Sequence, residues 1–307
     1  MRMKKLTYNL IFFSTLLSAA LLTAPLVQAQ PATTIQAYEA YQQKDYARAA
    51  SLIDAAVVSE EGKEEAMSWH IRGFVYKDLF NEAKNDALRH SHREKAIESY
   101  KRSMELDAGN AYEENNLKSL RYLASSLYND AVVVMRELDP KTIHRSEELY
   151  AAYKDLQRAI EPSFNFEERD ITYFKALATS NRKIYEQDRN KHKEFLFKAL
   201  DNYKVVLEID PENYGANYNT AINLYNEGAY GIEQIDAEAQ IPTIVKVQAE
   251  SVELFREALP FMLKAHELDP KRRETLIALR GIYLSLNNNE EANKYREMLK
   301  DTQQTNK

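Results

Sequence analysis

The sequence contains no cysteine. That removes disulfides, thiolate metal sites and cysteine nucleophiles together, and with them the residue a bacterial lipoprotein needs for its anchor. Glycine and proline are scarce, with 7 and 8 positions among 307 residues, so few turns are forced on the chain. Strand-like alternation of apolar and polar residues is rare. No basic block interrupts the mixed charges, and the formal net charge is −6, which argues against nucleic acid as the main partner. G-x-S-x-G, P-loop, G-x-G-x-x-G and HExxH patterns do not occur, so the chemistries that need them are not signalled. What is plentiful is Ala, Leu, Glu, Lys, Tyr and Asn, a composition suited to a nearly all-helical protein.

Residues 1–29 have the order of a secretory signal peptide. Arg2, Lys4 and Lys5 supply the positive start, Leu10 to Leu22 the apolar core, and Val27-Gln28-Ala29 the small residues before a cut. Cleavage after Ala29 and export to the periplasm or cell envelope, or secretion, are expected; an uncleaved anchor is the alternative. Nothing later is apolar enough to span a bilayer, so no membrane span remains after signal removal.

The stretch Ala199–Gly228 shows how the rest is built. Ala199, Tyr203 and Val206 share one helix face. Pro211 ends that helix. A second helical pattern follows, with Ala221 and Leu224, closed by Gly228 as an αL cap. The join between two helical hairpins recurs along the chain. Gln36–Val58 is a first hairpin broken at Lys44-Asp45-Tyr46. Trp69-x3-Gly73-x2-Tyr76 opens a second, answered by Ala96, Tyr100 and Ser103. Ala124 and Leu127 open a third, closed by Ala152, Leu156 and Ala159. A fourth runs from Asp170 to Pro211. The fifth pairs Ala221 with Ala258, Met262, Ala265 and Pro270, and Pro260 should kink its second helix. Arg272–Lys300 is the sixth, turning at Asn287.

These motifs resemble the tetratricopeptide repeat, whose W-x2-L-G-x2-Y and A-x3-F-x2-A positions they take up. Arg72 stands where the family has Leu, and Ala108 where it has Pro. Insertions near 80–92, 132–146 and 229–253 blur the period. The resemblance covers 36–300 and implies an all-α fold: a tetratricopeptide-like α-solenoid of antiparallel helix pairs forming a right-handed superhelix, with 30–303 as one repeat domain of about six pairs and 304–307 as a tail. It gives Trp69, Gly73, Tyr76, Ala96, Ala199, Pro211, Ala221, Gly228, Ala258 and Pro270 structural roles. It also places a partner-binding groove on the first helices, at His70, Phe74 and Lys77, at Tyr218, Ile222 and Tyr225, and at Ile277, Gly281 and Leu284. Aromatic and apolar residues there suit a peptide or another apolar surface. The opposing reading has the inserted helices folding over and burying them.

No catalytic, metal or cofactor site is expected. His90-Ser91-His92 on a helix would face apart, and Glu60-Glu61, Glu64-Glu65 and Glu113-Glu114 suit helix starts or solvated faces. The sequence therefore reads as a non-catalytic protein–protein interaction scaffold of the bacterial cell envelope, with no cofactor and a protein or peptide partner. A structural subunit of a permanent homo- or hetero-oligomeric complex is the alternative. N-terminal sequencing of the exported protein should begin at Gln30; an intact Met1 in the membrane fraction would mean an anchor instead.

Overall fold

The computed structural model describes residues 32–304, and every regular element among them is helical. In order these are α1 (Ala32–Gln42), α2 (Tyr46–Ala56), a 3₁₀ turn (Gly62–Glu64), α3 (Ala66–Glu82), α4 (Asp86–Leu106), α5 (Glu113–Glu137), α6 (His144–Ile160), α7 (Glu167–Gln187), α8 (Lys193–Ile209), α9 (Tyr214–Glu233), α10 (Ile241–Leu268), α11 (Arg273–Ser285) and α12 (Asn289–Gln304). The leader and residues 305–307 lie outside the described residues.

Short links join the helices pairwise, which makes each pair antiparallel. The links are written in local chemistry. Lys44 and Asn287 hold the left-handed conformation (φ 61° and 57°) that closes α1 and α11. Asp45, Asn85 and Asn213 then cap the helices that follow, each side chain accepting a backbone N–H from the first turn. Leu138, also at positive φ (51°), begins the bend after α5. Pro211 and Pro270 sit just past the ends of α8 and α10, in the turns between hairpins.

The second helix of each of the first five pairs carries one buried triplet. It reads Ala49/Ile53/Ala56 in α2, Ala96/Tyr100/Ser103 in α4, Ser146/Tyr150/Tyr153 in α6, Ala199/Tyr203/Val206 in α8 and Ala258/Met262/Ala265 in α10, all buried. Spacings of four and three keep the three residues on one face. In α6 this corrects the sequence reading: Ala152 and Ala159 are exposed. The small position there is Ser146, whose hydroxyl lies 3.1 Å from that of Tyr173 on α7. The first helices answer with Gly73 in α3, Ala124 in α5, Ala178 in α7 and Ala221 in α9, all buried.

The insertions are extra helical turns. Phe80 and Arg93 belong to the lengthened arms of α3 and α4, and both are buried. The third insertion makes α10 the longest helix described, at 28 residues, with Pro242 in its first turn, where a missing N–H costs nothing. Pro260 lies within it on the exposed side, and the helix continues through to Leu268.

Gly228 is not an αL cap. It lies inside α9, and no described glycine has positive φ. A Cβ at Gly228 would stand 2.6 Å from Phe255 Cε1 and 3.0 Å from the Ser251 carbonyl oxygen of α10. The glycine is there to let two helices touch.

The described residues fall into two compact units that meet in sequence between Leu120 and Arg121, within α5. In the first, Ala37, Ala40, Ala49, Ile53, Ile71 and Val75 form a core of α1–α3, and Gly73 meets Tyr100 where α3 lies on α4. In the second, Ala178, Tyr203, Val206 and Ala216 join α7 to α9. A larger core with Met262, Leu276, Leu279 and Tyr295 joins α9 to α12.

A Cβ at Gly73 would fall 2.5–2.8 Å from ring carbons of Tyr100. Alanine should therefore lower stability there, although Ala is the better helix former by about 1 kcal/mol. Leucine should cost more, about 1–3 kcal/mol or above through overpacking, and more than Lys77→Ala. Urea melts of the three variants check this; a Gly73→Leu protein as stable as the parent would remove the packing role.

Candidate functional site

The face positions differ sharply between the two units. In the first unit they are engaged internally. The His70 ring lies 4.6 Å from Phe74 and 4.5 Å from Tyr112, centroid to centroid. Phe74 also packs against Tyr41 and edge-on to Tyr100, and the Lys77 ammonium sits 4.5 Å over the Phe74 ring. His70 Nδ1 is 2.6 Å from Asn116 Oδ1. Since that oxygen only accepts, Nδ1 carries the proton. The relay continues as Asn116 Nδ2 donates to Ser103 Oγ (3.0 Å) and Ser103 Oγ to the Ala66 carbonyl (2.9 Å). Burial lowers the pKa of His70 and of Lys77; the Asn116 bond opposes the first and Asp78 the second.

In the second unit the face opens on α11. Tyr218, Ile222 and Tyr225 on α9 are half-buried, while Ile277 and Leu284 on α11 are 51% and 47% exposed. Beside the face α9 and α11 come close: Tyr214 and Thr275 hydroxyls lie 2.7 Å apart, and a Cβ on Gly281 would stand 3.0 Å from the Tyr225 hydroxyl. Tyr214 stacks on Tyr218 at 5.8 Å, and the Arg272 guanidinium covers Tyr214 at 4.6 Å.

Three features were missed in the sequence. Arg72, which stands at the family's Leu position, is 8% exposed. Its guanidinium donates to Asp54 (2.8 Å), Glu98 (3.0 Å) and Ser99 (2.8 Å) and lies over the Trp69 and Tyr76 rings. Trp69 is itself half-buried and donates its indole N–H to the Lys63 carbonyl, 2.9 Å away. Secondly, tyrosine hydroxyls donate to carboxylates across helices: Tyr41 to Asp78, Tyr76 to Asp54, Tyr150 to Asp170 and Tyr185 to Glu227. The pairs lie far apart in sequence, so spacing gives no sign of them. Thirdly, a cavity of about 360 Å³ opens between α6 and α7, with Tyr150, Tyr173 and Phe174 in its walls beside Lys154 and Arg158. Its cations are already bonded, Lys154 to Asp170 and Arg158 to Asp155.

His90 and His92 share α4 but not a partner: His90 faces Glu94 at 3.2 Å, and the His92 ring lies against Tyr76. Among the described residues no three His, Cys, Asp or Glu side chains converge as a metal site would need, and no helix is long and apolar enough to cross a membrane.

No family model matches the chain, and no curated protein matches it. Among solved structures it is similar to a monomeric mutant of IFIT1 with Gppp-AAAA, at 14% identity and a TM-score of 0.35, over 87% of this chain and 49% of that one. It is also similar to PilW, described as a widely conserved type IV pilus biogenesis factor, at 16% identity and a TM-score of 0.33, over 88% and 91%. The chain thus spans about half the length of that IFIT1 chain.

Burial holds His70, His92 and His266 below the ordinary histidine value of 6.5. A depressed histidine pKa means the unfolded chain takes up protons first, so stability is complete above 6.5 and falls as the pH drops through and below it. Denaturant melts at about pH 7.5 and about pH 5.5 should show that loss, and His70→Gln should reduce the difference between them. Equal pH dependence in the variant would show that His70 does not contribute.

Proposed function

We propose that this chain is an exported, non-catalytic interaction scaffold of the bacterial cell envelope. It binds a protein or peptide partner through the open face of its first helices and uses no cofactor. The observation that carries the reading is the contrast on that face: aromatic and charged positions are satisfied internally in the first unit, whereas α11 presents Ile277 and Leu284 to solvent beside half-buried Tyr218, Ile222 and Tyr225. Large apolar side chains grouped on one face suit an interface. The charged, apolar and small-residue order of residues 1–29 supports export.

A permanent oligomeric subunit is the second reading. It draws on the far end of the α9–α10 hairpin, where Ile232, Ile241 and Val245 are 40%, 76% and 56% exposed.

Photo-crosslinking in cells separates the two. A crosslinker at Ile277 or Leu284 should capture a partner protein, and one at Lys294 on α12 should not. Capture at Ile241 alone, giving a product of twice the chain's mass, would favour the oligomer and overturn the α11 face.

A further inference from the structure

The chemistry of the α9–α11 face narrows what it binds. Arg273, Ile277, Arg280 and Leu284 follow one another along α11 at spacings of four, three and four, so they form one stripe, and all four are exposed. Neither Arg273 nor Arg280 makes an ion pair with a described residue, unlike the many surface cations here that lie three or four residues from a carboxylate, such as Arg182 with Glu186 and Lys300 with Glu297. The adjoining helix adds no counter-charge: from Tyr214 to Asn226, α9 holds no acidic or basic residue. Its first acid, Glu227, is turned to Tyr185 and Lys193. At the near rim the carboxylates are Glu274 and Asp269, and Glu274 is taken up by Arg272 at 3.5 Å. Lys175 of α7, in reach of Gly215 at the start of α9, adds a cation on the other side. A chain whose net charge is −6 thus presents unpaired cations along an apolar stripe.

We propose that this face docks an acidic peptide segment, one whose Leu- or Phe-type side chains fill the space between Ile277, Leu284 and Tyr225 while its carboxylates meet Arg273 and Arg280. The proposal rests on the reading of this face as a docking surface and specifies the partner's chemistry. Free guanidiniums favour carboxylates through paired hydrogen bonds, and charge complementarity sets partner choice and the rate of encounter more than raw affinity. A second copy of the chain fits poorly, because a two-fold contact through this stripe sets arginine against arginine. Nucleic acid is disfavoured too: the exposed floor is aliphatic, and Tyr218 is already stacked on Tyr214, which leaves little open ring for bases.

The test is selection of random twelve-residue peptides displayed on phage against the exported protein, followed by titration of the enriched peptides in solution. Enrichment of sequences that mix Asp or Glu with Leu or Phe is expected. Arg280→Glu should weaken their binding roughly tenfold or more, and added salt should weaken it in the parent. Ile277→Ala, a change at an exposed position, should weaken it as well while leaving the circular dichroism unchanged. Enriched peptides that need Ile277 but carry no acidic residue would overturn the acidic partner and leave the docking face standing. Peptides indifferent to both variants, or no enrichment at all, would overturn both. Binding of an oligouridylate that is lost in Arg280→Glu, with no acidic peptide selected, would replace the peptide with nucleic acid.

Discussion

The hairpins depend on absent side chains. Gly73 lies under the Tyr100 ring, and Gly228 under Phe255. At each place one helix presents only hydrogen, so that an aromatic ring of its partner can lie against its backbone. The ring brings a large apolar area out of water, of the order of 1.5–3 kcal/mol for a side chain of that size, and the glycine fixes where along the helix this happens. The buried triplets work the same way with alanine or serine as the small member. A close approach is intolerant by nature, because interiors are packed as densely as molecular crystals and cannot absorb an added methyl group without moving. Register between the arms of a hairpin is therefore set by where the small residues fall.

Around these contacts polar groups tie one helix to the next. Arg72 joins α3 to α2 through Asp54 and to α4 through Glu98 and Ser99, and Tyr76 donates to the other oxygen of Asp54. Arg72, Tyr76 and Ser99 are buried, so removing a carboxylate partner strands a buried donor, which costs more than the bond itself is worth. Lys154, Tyr150 and Asp170 repeat the device between α6 and α7. Directional bonds to a carboxylate on the neighbouring helix add a second constraint on that register.

Much of this was legible in the sequence, and the reasons are local. Lys44-Asp45, Pro211 and Asn287 act through their own backbone preferences, so they could be read one residue at a time. The triplets of α4, α8 and α10 showed as spacings of four and three. The α6 triplet did not, because serine holds the small position while nearby alanines that look better placed face water. Gly228 was misread because a glycine near the end of an apolar pattern suits both a cap and a close approach; the ring it meets lies on a different helix. The openness of the face was also invisible. Whether Phe74 and His70 are covered depends on residues such as Tyr41 and Tyr112, which periodicity on the helix itself does not report.

The long α9–α10 arm bears on how the molecule moves. At 1.5 Å per residue α10 runs about 42 Å and α11 only about 20 Å, so much of the hairpin reaches past its neighbour. At Gly228 and Gly231 its two helices lie close, against Phe255, Ser251 and Val247. Beyond them the arm carries exposed Ile232, Ile241 and Val245 with little to bury them. Its amides should exchange with solvent sooner than those beside Met262 and Leu276, since an end can fray without breaking the core. The hairpin is thus stiff at its root and compliant at its tip.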